Sequence, residues 1–155
     1  KDILSFAKAL PELKEEDSFF ILCGDGPMLK QTEDLLKGRG NVLFAGHVNN
    51  VQDYFKAADF YVSTSLSESF HLTVYEAMAC GAPVILSDIE AYCNLKGSKA
   101  AAFFEPGDYK ALSAQMFRAL DGGFKDCGDT AVNTVRQSYT LQTMAKGYQD
   151  IYLSL

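Results

Sequence analysis

The chain has 155 residues, 48% of them hydrophobic, which suffices for one domain with a sizeable core and is too few for two. Its 14 Lys and Arg against 20 Asp and Glu leave a formal net charge of -6, which repels a phosphate backbone and excludes a general nucleic-acid binder, although backbone amides and a few cations can still hold a small anion locally. Cys23, Cys80, Cys93 and Cys127 have neither metal-site spacing nor the density of a disulfide scaffold, no apolar run approaches the roughly 20 residues of a bilayer span, and the first residues do not read as a signal peptide, so reduced thiols and a cytoplasmic protein are expected.

The chain opens on a helical pattern, Lys1 to Leu10, with Ile3, Leu4, Ala7 and Leu10 on one face and Pro11 near its end. A doubly wound sheet usually begins with a strand, so the sheet is expected either to be unusually small or to have its first strand outside this chain. Next come short, almost continuously apolar runs: "SFFILCG" (18–24), "NVLFAG" (41–46), "DFYVST" (59–64), "PVILSD" (83–88) and "AAAFFE" (100–105). Such runs predict strands buried on both faces of a parallel sheet. Between them lie helical patterns. Pro27 to Lys37 has Pro27 at the first helical position and Gly38 as a stop, Val51 to Ala58 is a short helix, and Leu72 to Cys80 is closed by Gly81. Asp108 to Leu120 predicts a further amphipathic helix, and 126–155 one or two more with Thr140 as a cap. The alternation predicts a single doubly wound, Rossmann-like α/β domain over 1–155, with ligands beyond the carboxyl ends of the strands.

Two loops carry chemistry. "CGDGP" follows the first strand, and Gly24 and Gly26 permit a sharp turn close to a ligand, although an ordinary turn accounts for them equally well. A dinucleotide fingerprint needs a third glycine where Leu29 stands, and an acidic residue after "NVLFAG" to hold a ribose, so a nicotinamide enzyme is disfavoured.

The second loop, "SLSES", precedes a helix starting near His71, and the free amides of Phe70, His71, Leu72 and Thr73 form an anion site. Glu68 lies in the loop and Glu76 just over a turn into the helix. Two acceptor-only carboxylates flanking a diphosphate suit a ligand with hydroxyls at both ends, as a nucleotide sugar has. The helix dipole alone also favours glutamate near a helix start, so the spacing leaves an ordinary surface pair open.

"SESFHLTVYEAMACGAPVI" closely resembles the Glu-x7-Glu segment of the group 1 (family four) retaining glycosyltransferases, enzymes built from two Rossmann-like halves. "ILCGDGPMLKQTEDL", "NVLFAGHV", "ADFYVSTSLSESF" and "FFEPGD" follow in the order and spacing of that family, so the resemblance spans Lys1 to about Leu120, and "GYQDIY" looks like its closing segment. The resemblance implies the donor-binding, carboxyl-terminal half, with the amino-terminal acceptor domain absent from this chain. It implies that Glu68 meets donor-sugar hydroxyls near the reacting carbon and that Glu76 accepts from the ribose. The amides of Ser69 and of Phe70 to Thr73 would hold sugar and diphosphate, Gly24 and the backbone near Val48 would border the base, and Lys1 would sit on the diphosphate. The family's Arg on the preceding loop falls outside the chain.

Transfer with retention and without a metal is implied, the leaving diphosphate being stabilised by cations and amides. The nucleoside-diphosphate sugar is then a substrate, and no separate cofactor is expected. The full-length protein could lie peripherally at a membrane, whereas the isolated chain is expected to be inactive. A binding module that keeps the nucleotide site without transfer is the alternative. His71 departs from the family, which usually has Gly there. An imidazole either narrows the site, contacts the phosphates, or faces solvent at the helix start. Ser69 likewise replaces a common Gly. His47 is expected to be a loop residue, and Cys23 and Cys80 small core residues.

Overall fold

The computed structural model describes residues 1–154. Helix α1 (Ile3–Ala9) begins at Asp2, whose carboxylate accepts from the Ser5 amide at 3.3 Å and the Ser5 hydroxyl at 2.5 Å. Then follow β1 (Phe20–Cys23), α2 (Leu29–Leu35), β2 (Val42–Gly46), α3 (Val51–Ala57), β3 (Tyr61–Ser63), α4 (Leu72–Ala79), β4 (Val84–Ser87) and β5 (Ala101–Phe104). Helices α5 (Tyr109–Arg118), α6 (Gly128–Ser138) and α7 (Leu141–Leu153) complete the chain. All strand pairings are parallel, in two hydrogen-bonded sets, β1–β2 and β3–β4–β5.

Strand β4 shows why this is a layered α/β fold. All four of its residues are buried, and successive side chains serve different cores. Val84 and Leu86 pack with Phe55, Val74, Met78, Tyr92 and Leu95 on one side, whereas Ile85 packs with Phe6, Leu10, Leu112 and Met116 on the other. Burying each such aliphatic side chain contributes roughly 1.5–3 kcal/mol. The expected Rossmann-like domain is therefore present.

The outer pair departs from the expectation of strands buried on both faces. Phe20 is buried against Phe6, ring centroids 5.6 Å apart, but the next registered pair, Ile21 and Leu43, is 44% and 45% exposed. A period of two puts Phe20 and Leu22 toward α1 and α2, and the alternate positions face away from that layer. Cys23 falls on the exposed side for the same reason, so it is no core residue, and Cys80 is only partly buried.

Helix ends follow local chemistry. Pro27 lies ahead of α2 in a turn instead of at its first helical position, because Gly26 at φ +155° breaks the backbone just before it. Gly81 ends α4 in the left-handed region at φ +91°, and no atom lies within 4 Å of where its Cβ would stand, so its requirement is conformational. The Asp108 carboxylate caps α5 by accepting from the amides of Lys110 and Ala111. The Thr140 hydroxyl accepts from the Thr143 amide at 3.1 Å, capping α7 as the sequence predicts. Helix α7 buries none of its described residues. No described helix is long and apolar enough to cross a membrane.

Candidate functional site

Strand β3 delivers three buried polar residues, Ser63, Thr64 and Ser65, to its carboxyl end. Buried hydroxyls must find partners, and these do so by organising the loop that follows. The Ser87 hydroxyl, at the end of β4, donates to the Ser65 carbonyl at 2.5 Å. The Ser65 hydroxyl donates to Glu68 Oε1 at 2.8 Å. Lys1 Nζ approaches the same oxygen at 2.7 Å, and the Asp2 amide donates to the Thr64 carbonyl at 3.2 Å, fixing the start of the chain beside the loop. The hydrogen bond from Lys1 holds the Glu68 carboxyl below its usual range, with Ser65 and the His71 ring acting in the same direction against partial burial.

His71 is 6% exposed. Its Nδ1 lies 2.5 Å from Tyr92 Oη and 3.3 Å from Ser63 Oγ, and its Nε2 contacts Lys1 Nζ. Of the alternatives open for His71, the solvent-facing one fails because β3 and the 3₁₀ turn after β4 offer the imidazole two hydroxyls and the Tyr92 ring, 6.0 Å away between centroids. Burial and the neighbouring Lys1 cation push the His71 pKa down, so the ring is neutral near pH 7.

Helix α4 starts at Leu72 with no side-chain cap. Among the described residues, the amides of Phe70, His71, Leu72 and Thr73 donate to no protein acceptor. Four free donors at a helix start beside an ammonium concentrate positive potential on one surface. Phe70 is 52% exposed and stacks on Tyr75, centroids 4.8 Å and planes 11° apart, and Tyr75 in turn meets Tyr139 at 4.1 Å.

The geometry thus gathers Lys1, Glu68 and His71, with Ser69 and Phe70 to Thr73 alongside. Glu76 is exposed on α4, and its carboxylate makes no hydrogen bond or ion pair among the described residues. Gly24, at φ +108°, donates its amide to the Gly46 carbonyl at 2.6 Å, and Val48 is half-buried just after β2. Both lie past carboxyl ends of strands, as the sequence rule requires, without contact to Glu68. Two surface concavities, about 370 Å³ beside Phe103 and Gln115 and about 620 Å³ beside Phe19 and Asn41, lie away from these residues.

Sequence reasoning missed Tyr92, Ser63 and Ser65. The signal for Tyr92 was topological, since the Ser63–Leu86 register sets the loop after β3 beside the loop after β4.

Residues 1–122 match the sequence model of the family described as Glycosyl transferases group 1. The chain belongs to that family. Among curated relatives, the N-acetyl-alpha-D-glucosaminyl L-malate synthase of Bacillus anthracis is 28% identical over 156 residues, covering 97% of this chain and 40% of the relative. The alpha-monoglucosyldiacylglycerol synthase of Streptococcus pneumoniae is 42% identical over 114 residues, 70% of this chain and 26% of that protein. The Anabaena Alr3699/HepE protein, solved in complex with UDP, superposes with a TM-score of 0.89 at 21% identity over 100% of this chain and 46% of its own, which shows a shared fold. The chain spans less than half the length of these proteins.

Proposed function

We propose that the chain is the donor-binding half of a retaining glycosyltransferase that moves a sugar from a nucleoside-diphosphate sugar to an acceptor bound by a separate domain. The observation that carries this reading is the pairing of Lys1 with Glu68 beside the uncapped start of α4. In this reading the amides of Phe70 to Thr73 and the Lys1 ammonium receive a diphosphate, whose negative charge grows as its bond to the sugar breaks. Fixed donors aimed at developing charge lower the barrier because they need no reorganisation at the moment of reaction. Glu68, ionised and acceptor-only, suits sugar hydroxyls and a carbon that becomes electron-poor. Glu76 on the exposed side of α4 is free to accept from a ribose, and Gly24 and Val48 would border the base. No step of this scheme calls for a separate cofactor.

Relatives at least twice as long as the matched segment support an acceptor domain outside the chain. The solved Anabaena neighbour holds UDP, and a uridine diphosphate is accordingly the first ligand to try.

The test is a thermal-shift titration with UDP, GDP, ADP, CDP and NAD. A ligand at 100 times its dissociation constant should add about 2.7 kcal/mol of stability. Stabilisation by one nucleoside diphosphate, reduced in Glu76→Ala, supports the reading and names the base. Stabilisation by NAD, or by none of the five, would sink it.

A further inference from the structure

Six polar side chains from three separated segments close into one ring: Lys1, His71, Tyr92, Ser63, Ser65 and Glu68. Proton counting fixes its direction. Glu68, held ionised, can only accept, so Lys1 and Ser65 both donate to Oε1. With its one proton engaged, Ser65 accepts from Ser63 at 3.4 Å, and Ser63 accepts from Tyr92 at 3.2 Å. Tyr92 must then accept at 2.5 Å from an Nδ1–H of His71. A neutral imidazole protonated at Nδ1 carries its lone pair on Nε2, and there it meets the Lys1 ammonium. Every hydroxyl and the imidazole use one donor and one acceptor. Lys1 alone has something left over: of its three N–H bonds one goes to Glu68 and one to His71, and the third is free.

We propose that Tyr92 and His71 are positioning residues that, with Glu68, hold two N–H bonds of Lys1 and so present the third to an anion at the start of α4. The identity of that anion as a diphosphate rests on the function proposed above. Lys1 is an exposed and flexible side chain, 57% accessible, which by itself would sample many directions. The ring removes that freedom before the ligand arrives, and preorganisation of this kind raises affinity by cutting the ordering loss on binding.

Two measurements test it. The first is the ¹⁵N spectrum of the His71 ring near pH 7, in a chain with only two histidines. Protonation at Nδ1 is expected in the wild type, and in Tyr92→Phe, which keeps the ring volume but removes the acceptor at 2.5 Å, the Nδ1 resonance should shift as that N–H passes to the longer contact with Ser63 at 3.3 Å. An Nε2–H tautomer or an imidazolium in the wild type would overturn the proposal. The second is the affinity for inorganic pyrophosphate and for UDP in wild type, Tyr92→Phe, Lys1→Ala and the double variant. Tyr92→Phe should weaken binding about tenfold, the scale of one hydrogen bond to a charged group. It should cost nothing further once Lys1 is alanine, a dependence that a merely structural role of Tyr92 would not produce. Wild-type binding that survives Tyr92→Phe unchanged, or losses that simply add, overturn the positioning role and leave the donor reading standing. If the wild type binds neither ligand, the donor reading falls and takes the role of Lys1 with it. Should Tyr92→Phe fail to fold, Ser63→Ala breaks the ring one member later and should weaken binding with the same dependence on Lys1.

Discussion

Glu68 Oε1 accepts from Lys1 Nζ at 2.7 Å, joining the first residue to the loop after β3. The Lys1 side chain is 57% exposed and Glu68 20%, so solvent screens the pair and its contribution to folding is small. Its value lies in where it leaves an ammonium. Lys1→Ala is therefore expected to change the unfolding free energy by no more than about 1 kcal/mol while weakening UDP binding at least several-fold. Urea unfolding and calorimetric titration on the same preparation separate the two effects, and a destabilised variant that binds normally would contradict this account.

Stability should fall on mild acidification, with His71 responsible for the first part. Its folded pKa is pushed below the ordinary 6.5 by burial and by the Lys1 side chain, against the opposing pull of Glu68. Below about pH 6.5 the unfolded chain takes up a proton that the folded chain refuses, so unfolding becomes easier as pH drops. Glu68 acts with the same sign lower down. Its contribution is complete above the unfolded value near 4.5 and is lost as pH falls through its lowered folded value. Urea midpoints at about pH 7.5, 6 and 5 should decline in the wild type, and His71→Gln should flatten the step between 7.5 and 5. Equal slopes in the two proteins would show that the imidazole is not held neutral.

The layered core was legible because β4 is a continuous apolar run, and only burial on both faces accommodates one. Thr140 was legible because capping is local chemistry. The exposure of Ile21, Leu43 and Cys23 was not, since an apolar run does not say whether a second helical layer covers it. His71 illustrates the same limit at the site. Its place in the motif could be read from spacing, but whether it faced water or protein depended on Tyr92 and Ser63, which approach it through the β3–β4 register. Long-range pairing of polar groups leaves no periodic trace in the chain.

Ile85 offers a test of the two-sided core. It is fully buried at the centre of β4, in register with Val62 and Ala102, and packs toward α1 and α5. Ile85→Ala should lower stability by roughly 2–5 kcal/mol through lost burial and the cavity left behind. Ile21→Ala, on the exposed side of β1, should lower it by much less. Comparable losses at the two positions, measured by chemical denaturation, would mean that the outer strand pair is covered in solution.

Glu76 gives the cleanest separation of site from scaffold. It projects from α4 into solvent without a partner among the described residues, whereas its neighbours Tyr75, Ala77 and Met78 are buried. Glu76→Ala therefore removes no native contact and replaces the residue with the best helix former, so the unliganded melting temperature should stay level or rise slightly. A hydroxyl-to-carboxylate hydrogen bond in the complex is worth roughly 1.5–3 kcal/mol, so the variant should bind its nucleoside diphosphate more than tenfold less tightly. A nucleoside diphosphate lacking both ribose hydroxyls should bind wild type and Glu76→Ala alike. If that analogue still discriminates between them, Glu76 acts on some other part of the ligand, and the ribose assignment fails while Lys1 and the α4 amides keep theirs.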